Sequence, residues 1–180
     1  MIREIVTYPH PVLHQKAKQV AEVNDEIREL LADMKETMVA NNGVGLAAPQ
    51  IAVSLQVAIV DVEQGREASD PSYIQEGYFE LINPQITDRQ DEIEWEEGCL
   101  SVPNFWQNMQ RSRKITVQYL DRQGKKQTLK AEGLLAVAIQ QELDHLSGKL
   151  IIDQVSRLKQ TMYLHRIKKE KRKNKNEQGD

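Results

Sequence analysis

"AIQQELDHLSGKLIID", residues 138–153, carries Glu142 and His145 three positions apart, hence on one face of any helix that contains them. The residues leading into it, "LLAVA" (134–138), are apolar, and the polar residues are confined to the later turns. That pattern predicts a buried helix over 134–146, stopped at Ser147-Gly148. In an H-E-x-x-H helix two imidazoles one turn apart aim at one metal, and the Glu between them reaches the metal-bound water. Position 141, where the first imidazole belongs, is Gln here. A Glu and a His on an apolar helix also serve as plain hydrogen-bonded structural residues, so the stretch needs support from the rest of the chain.

Working outward, the segment "KITVQYLDRQGKKQTLKAEG" (114–133) reads as a hairpin of two alternating runs joined at Asp121–Gly124. Before it, "EIEWEEGCLSVP" (92–103) predicts a strand running into a turn at Gly98, with Cys99 at its edge. "YFELINPQI" (78–86) predicts a strand ending near Pro84, "EQGREASDPSYIQEG" (63–77) a surface loop, and "LQVAIVDV" (55–62) a buried strand. "GVGLAAPQ" (43–50) is a loop of small residues that lets backbone come close to a strand or a ligand. In "VNDEIRELLADMKETMVANNG" (23–43), Asn24 is an N-cap with Asp25 and Glu26 in the first turn. Ile27, Leu30, Leu31, Met34 and Met38 form one apolar face of that helix. A last helix starts near Val155 and runs into a basic tail. The order of elements gives an α+β fold, with helices packed against antiparallel sheet.

The 180 residues suit one domain, read as 1–165, with 166–180 as a basic, frayed tail. The chain is 39% hydrophobic and 28% charged with a net charge of −3, which argues against general nucleic-acid and DNA binding. No apolar run reaches membrane-spanning length and no secretory leader is visible, so a cytoplasmic protein is expected. The single cysteine, Cys99, excludes an internal disulfide and leaves a buried hydrophobe, a nucleophile or a metal ligand as its roles.

Three motifs in order, "GVGLAAPQ" at 43–50, "EGCLS" at 97–101 and "QELDH" at 141–145, make the chain resemble the peptide deformylases. That family is marked by G-φ-G-L-A-A-x-Q, E-G-C-L-S and H-E-x-D-H, and the likeness runs through nearly the whole chain up to the basic tail. The resemblance implies antiparallel sheets around a buried, motif-bearing helix, with further helices at the N- and C-terminal ends. It implies removal of the N-formyl group from the N-terminal methionine of nascent bacterial polypeptides. It implies one divalent metal, Fe(II) in the family and replaceable by Zn or Ni, with Cys99 and His145 as ligands and an open position for water. Glu142 would shuttle the water's proton, and the Gln50 side-chain amide with the Leu100 N–H would stabilise the oxyanion. Gly45 would hold the peptide backbone in strand fashion, and Val44, Leu134, Val137 and Ala138 would line the methionine pocket.

The chain departs from the pattern at two positions. Gln141 replaces an imidazole with an amide whose oxygen is a weak, hard ligand, better suited to Ca, Mg or Mn than to Zn or Fe(II). None of His10, His14 and His165 is an evident substitute. Trp106 stands where many family members carry an Arg near the substrate-binding edge, whereas Arg111 is retained. These changes leave a second expectation, an impaired paralogue that binds formyl-peptides or nascent chains without hydrolysing them. A zincin-like protease is the third and weakest reading. The basic residues from Arg157 to Lys173 are candidates for a salt-dependent contact with ribosomal RNA, and a monomer is the default state.

Overall fold

The structure, a computed structural model, describes residues 1–63 and 69–177, with side chains described as far as residue 173. Five strands form one antiparallel sheet in chain order: β1 (Gly45–Ala47), β2 (Val57–Val62), β3 (Gly77–Cys99), β4 (Val102–Leu120) and β5 (Lys126–Glu132). Three helices accompany it: α1 (Asp25–Ala40), α2 (Leu134–Leu146) and α3 (Arg157–Glu177). The expected α+β class holds, with a single continuous sheet where the sequence allowed several.

Strand β2 shows how sequence becomes layering. Successive side chains of a strand point to opposite faces. Val57 and Ile59 therefore join the core built with Ile27, Leu31 and Met34 of α1. Val60 and Val62 join the core built with Leu135, Ala138 and Ile139 of α2. A near-continuous apolar run is what a strand covered on both faces requires. Helix α1 buries the predicted stripe, and Asn24 Oδ1 accepts from the Ile27 N–H at 3.1 Å.

The strand predicted over 78–86 and the one predicted within 92–103, ahead of a turn at Gly98, are one, β3, which runs through both Pro84 and Gly98 to Cys99. The register with β4 shifts between Ile82 and Gln85, and Asn83 takes a positive φ of 51°. Pro84 thus sits at a bulge, where the ladder asks for no N–H. Strand β3 turns back into β4 through Leu100 and Ser101, with Cys99 opposite Val102. The hairpin over 114–133 is present as the end of β4 and β5. The stretch "GVGLAAPQ" is an edge strand, β1, followed by a 3₁₀ turn at Ala48–Ile51. Residues 64–68 of the expected surface loop lie outside the described residues, and 69–76 form turns and bends. Helix α3 carries the stretch expected as a tail onward as far as Glu177.

Helix α2 lies against the sheet, and one polar side chain on it explains how it is held. Gln140 is buried, and its amide oxygen accepts from the Ser112 N–H (2.9 Å) and from Arg89 (3.0 Å). Its amide nitrogen donates to the Ser112 carbonyl (2.8 Å) and to that of Ala136 (2.9 Å). The helix is thereby stitched to the backbone of β4. No helix among the described residues is long and apolar enough to cross a membrane.

Candidate active site

A cleft of about 500 Å³ opens between β1, the β3–β4 turn and α2. Val44, Gly45, Gln50, Cys99, Leu100 and Leu134 line it, together with Val137, Ala138, Gln141 and Glu142. Every residue expected to act as a catalytic group, metal ligand or substrate contact therefore lines this cleft except His145, whose Nε2 lies 3.2 Å from Cys99 Sγ. His145 and Glu142 are 3% and 4% exposed, so the chemistry sits at the bottom of the cleft, away from bulk water.

Each group is placed by its own element. Cys99 ends β3, at a register shift that separates it from the ladder before it. Gln50 sits in the 3₁₀ turn after β1. Its Oε1 accepts from the Ala47 N–H at 2.8 Å, which turns Nε2 toward Ser101 Oγ (3.2 Å) and Cys99 Sγ (3.6 Å). Gly45 faces Glu142 so closely that a Cβ there would lie 2.4 Å from Glu142 Oε1. The expectation that the small-residue loop admits close approach is met, and the object approached is the carboxyl of Glu142. Among the described residues Glu142 Oε2 and His145 Nδ1 have no hydrogen-bond partner. Buried polar atoms are almost always satisfied, so the free Glu142 oxygen, on a carboxyl that lines the cleft, marks a position kept for something else.

Burial dominates the electrostatics. It pushes the Glu142 carboxyl up to about 8, with Glu97 and Asp144 adding to the rise and Arg111 opposing it. It pushes the His145 imidazole down to about 4, helped by the Arg111 charge. It pushes the Cys99 thiol up to about 12, with the Glu142 charge adding. A neutral imidazole nitrogen and a thiol that gives up its proton on binding are donor types that a transition-metal ion takes. Metal–sulfur and metal–nitrogen bonds of about 2.3 and 2.0 Å can span their separation on one ion. The pair fits a metal. No cluster of three or more His, Cys, Asp or Glu side chains arranged to hold an ion occurs among the described residues. The Gln141 amide nitrogen donates to the Gly98 carbonyl at 2.7 Å, next to Cys99 in the chain. His14 pairs with Asp153 at 3.0 Å, and His10 Nδ1 caps the 3₁₀ turn at Pro11–His14.

Behind the cleft lies a cluster that sequence reading recovered only in part. Arg111, retained as the sequence showed, donates to both oxygens of Glu97 (2.6 and 2.9 Å) and to Asp144 (2.6 Å). Burial works against the guanidinium charge, but Glu97 and Asp144 outweigh it and hold its pKa above the ordinary arginine value. The partner that went unseen is Glu97, whose pairing with Arg111 depends on the β3–β4 hairpin; its place in "EGCLS" was the available signal. Ser101, fully buried and bonded to Gln50, was missed in the same motif.

Comparison with known proteins agrees with this geometry. The polypeptide deformylase family model matches residues 2–161. A peptide deformylase of Nitrosococcus oceani is 46% identical over 171 residues, which covers 95% of this chain and 97% of that protein. The crystal structure of a peptide deformylase from Ehrlichia chaffeensis in complex with actinonin superposes with a TM-score of 0.88 at 37% identity, covering 95% of this chain and 98% of that one. A peptide deformylase structure from Legionella pneumophila gives 0.83 at 40% identity, covering 97% and 98%.

Proposed function

The chain belongs to the peptide deformylase family, and on that footing we propose that it removes the N-formyl group from the N-terminal methionine of nascent polypeptides with Glu142, Gln50 and Leu100 as its catalytic groups. The observation that carries the reading is the 3.2 Å approach of Cys99 to His145 beside the orphaned carboxyl of Glu142. Cys99 and His145 would hold the metal on which this family depends, and thiolate with imidazole suits Fe(II), Zn or Ni. When bound, such an ion supplies Lewis acidity and a water more acidic than bulk water.

The chain's own groups do the rest. Glu142 takes the proton of the attacking water and returns it to the amine nitrogen as the C–N bond of the formamide breaks and formate leaves. A carboxyl with a pKa near neutrality is suited to both transfers. The Gln50 amide, held by Ala47, and the Leu100 N–H stabilise the negative oxygen that develops on the formyl carbon. Gly45 lies on the edge strand β1, where an extended peptide can add as a further strand. Val44, Leu134, Val137 and Ala138 receive the methionine side chain. Gln141 acts chiefly through the Gly98 carbonyl, fixing the end of β3 to α2, and its oxygen is at most a weak third ligand.

Because the substrate is made on ribosomes, the reading makes the protein cytoplasmic. The basic residues of α3, such as Arg157, Lys159, Lys168 and Lys173, are exposed and suit a salt-dependent ribosomal contact by a monomer.

The experiment is metal content and formate release from formyl-Met-Ala-Ser, for the protein as it is and for Gln141→His. Hydrolysis by the natural chain, with metal affinity rising at least about 10-fold in the variant, is the expected result. Absence of both metal and hydrolysis in the two proteins would remove the reading.

A further inference from the structure

We propose that the mouth of the cleft selects peptides whose residues after the formyl-methionine carry positive charge, through the ring of Trp106 and the carboxylate of Glu96. This rests on reading the cleft as the peptide site. Trp106 lies opposite Gly98 in the β3–β4 ladder, and its ring covers that glycine so closely that a Cβ there would lie 2.7 Å from it. Gly98 precedes Cys99, so the ring stands one residue from the reacting centre. It is nevertheless 67% exposed, an unusual position for a tryptophan that nothing else in the described chain covers.

Glu96 shares the face of Gly98, since side chains two apart on a strand point the same way. It is therefore a diagonal neighbour of Trp106 across the ladder, within reach of one long side chain. Glu96 is exposed, lines the cleft, and makes no hydrogen bond or ion pair among the described residues. Its neighbour Glu97 points the other way and is neutralised by Arg111. Glu94, two residues further from the cleft, is engaged by Asn108 and Gln110.

No Lys or Arg lines the cleft among the described residues. Arg166, which approaches its rim from α3, donates to the Asn104 carbonyl at 2.7 Å and stacks on Tyr163. The mouth therefore offers a bare carboxylate and an open aromatic face with no cation among the described residues that line it. A lysine or arginine side chain satisfies both at once, by charge pairing and by cation–π contact. Glutamate or aspartate in the same place meets repulsion. A peptide laid along β1 advances about 3.3 Å per residue, so the two residues after the methionine are the ones that pass this mouth.

The test uses formyl-Met-Lys-Lys-amide, formyl-Met-Glu-Glu-amide and formyl-Met-Ala-Ala-amide, with formate release and calorimetric binding both recorded. The lysine peptide is expected to exceed the glutamate peptide about 10-fold in kcat/KM and in affinity at low salt, given the modest strength of exposed charge and ring contacts. Glu96→Gln should cut that ratio to about 3-fold and remove most of its salt dependence. Trp106→Ala should cut it to a similar extent, while Trp106→Phe, which keeps a ring, should retain part of it. Equal treatment of the two charged peptides by the natural protein overturns the proposal, as does a ratio that neither Glu96→Gln nor Trp106→Ala changes. Failure to release formate even from the alanine peptide counts against the catalytic reading alone, because the binding ratio still reports on the mouth of the cleft.

Discussion

Helix α2 carries two kinds of buried polar group, and they are adjacent in the chain. Toward β4, Gln140 uses both ends of its amide, and three of its bonds go to backbone groups of Ser112 and Ala136. Toward β1 and Cys99, Glu142 and His145 are as deeply buried, yet each has an atom with no hydrogen-bond partner among the described residues. An unmade hydrogen bond in a low-dielectric interior costs about 1–3 kcal/mol. The front of the helix therefore keeps polar atoms that the rest of the described fold does not satisfy, and the back does not. Satisfied burial builds the fold, whereas unsatisfied burial is tolerated where a substrate, water or ion is to be received.

If that division is right, substitutions on the front should change chemistry and those on the back should change stability. Glu142→Gln is the sharpest break. It keeps the shape of the side chain and removes its capacity to move a proton. Formate release should fall about 10²- to 10⁴-fold, with the thermal midpoint unchanged or raised. A variant retaining more than a tenth of the activity would show that the proton travels elsewhere. Arg111→Met is the counterpart behind the helix. It strands the carboxylate of Glu97, which is 4% exposed, and frees Asp144. Leaving one partner of such a pair uncompensated costs about 3–5 kcal/mol, read from urea denaturation. A loss under about 1 kcal/mol would mean that water reaches this cluster. Gly45→Ala returns to the front with a smaller expected effect. The added carbon collides with the end of a flexible side chain, so folding should be little altered. The Glu142 carboxyl must move, however, and a displacement of about 1 Å can cost on the order of 10²-fold in rate. Unchanged kcat in that variant would show that the carboxyl has room the geometry does not suggest.

The same division explains how much was legible beforehand. Helices α1 and α2 were readable because apolar spacing is a local signal, and β2 because a β-branched run buried on both faces is continuous. The front of the site was readable because Gly45, Cys99, Glu142 and His145 fall within short motifs of fixed order. Three things were not. Pro84 looked like a strand end, because the bulge that accommodates it depends on the partner strand. Glu97 and Arg111 meet only after β3 folds back on β4, and alternation along either strand does not announce a pairing across them. Gln141 was legible as a departure, but the bond from its amide to the Gly98 carbonyl requires the end of β3 to lie beside α2.

The mildest test concerns Gln140, the neighbour of that departure. Gln140→Leu has nearly the same volume and leaves the Ser112 N–H and C=O on β4 without their partner. Because the group lost is neutral, the expected destabilisation is about 1–3 kcal/mol, smaller than that for Arg111. The helix still packs on its apolar face through Leu135, Ile139 and Leu146, so the folded fraction should hydrolyse formyl-peptide at an unchanged kcat. Denaturation and activity measured on one sample separate the two effects. A drop in kcat larger than the loss of folded protein explains would mean that the stitch to β4 sets the reach of Glu142 and His145 into the cleft. The two sides of the helix would then be one device, and satisfied burial on one side would be part of the chemistry on the other.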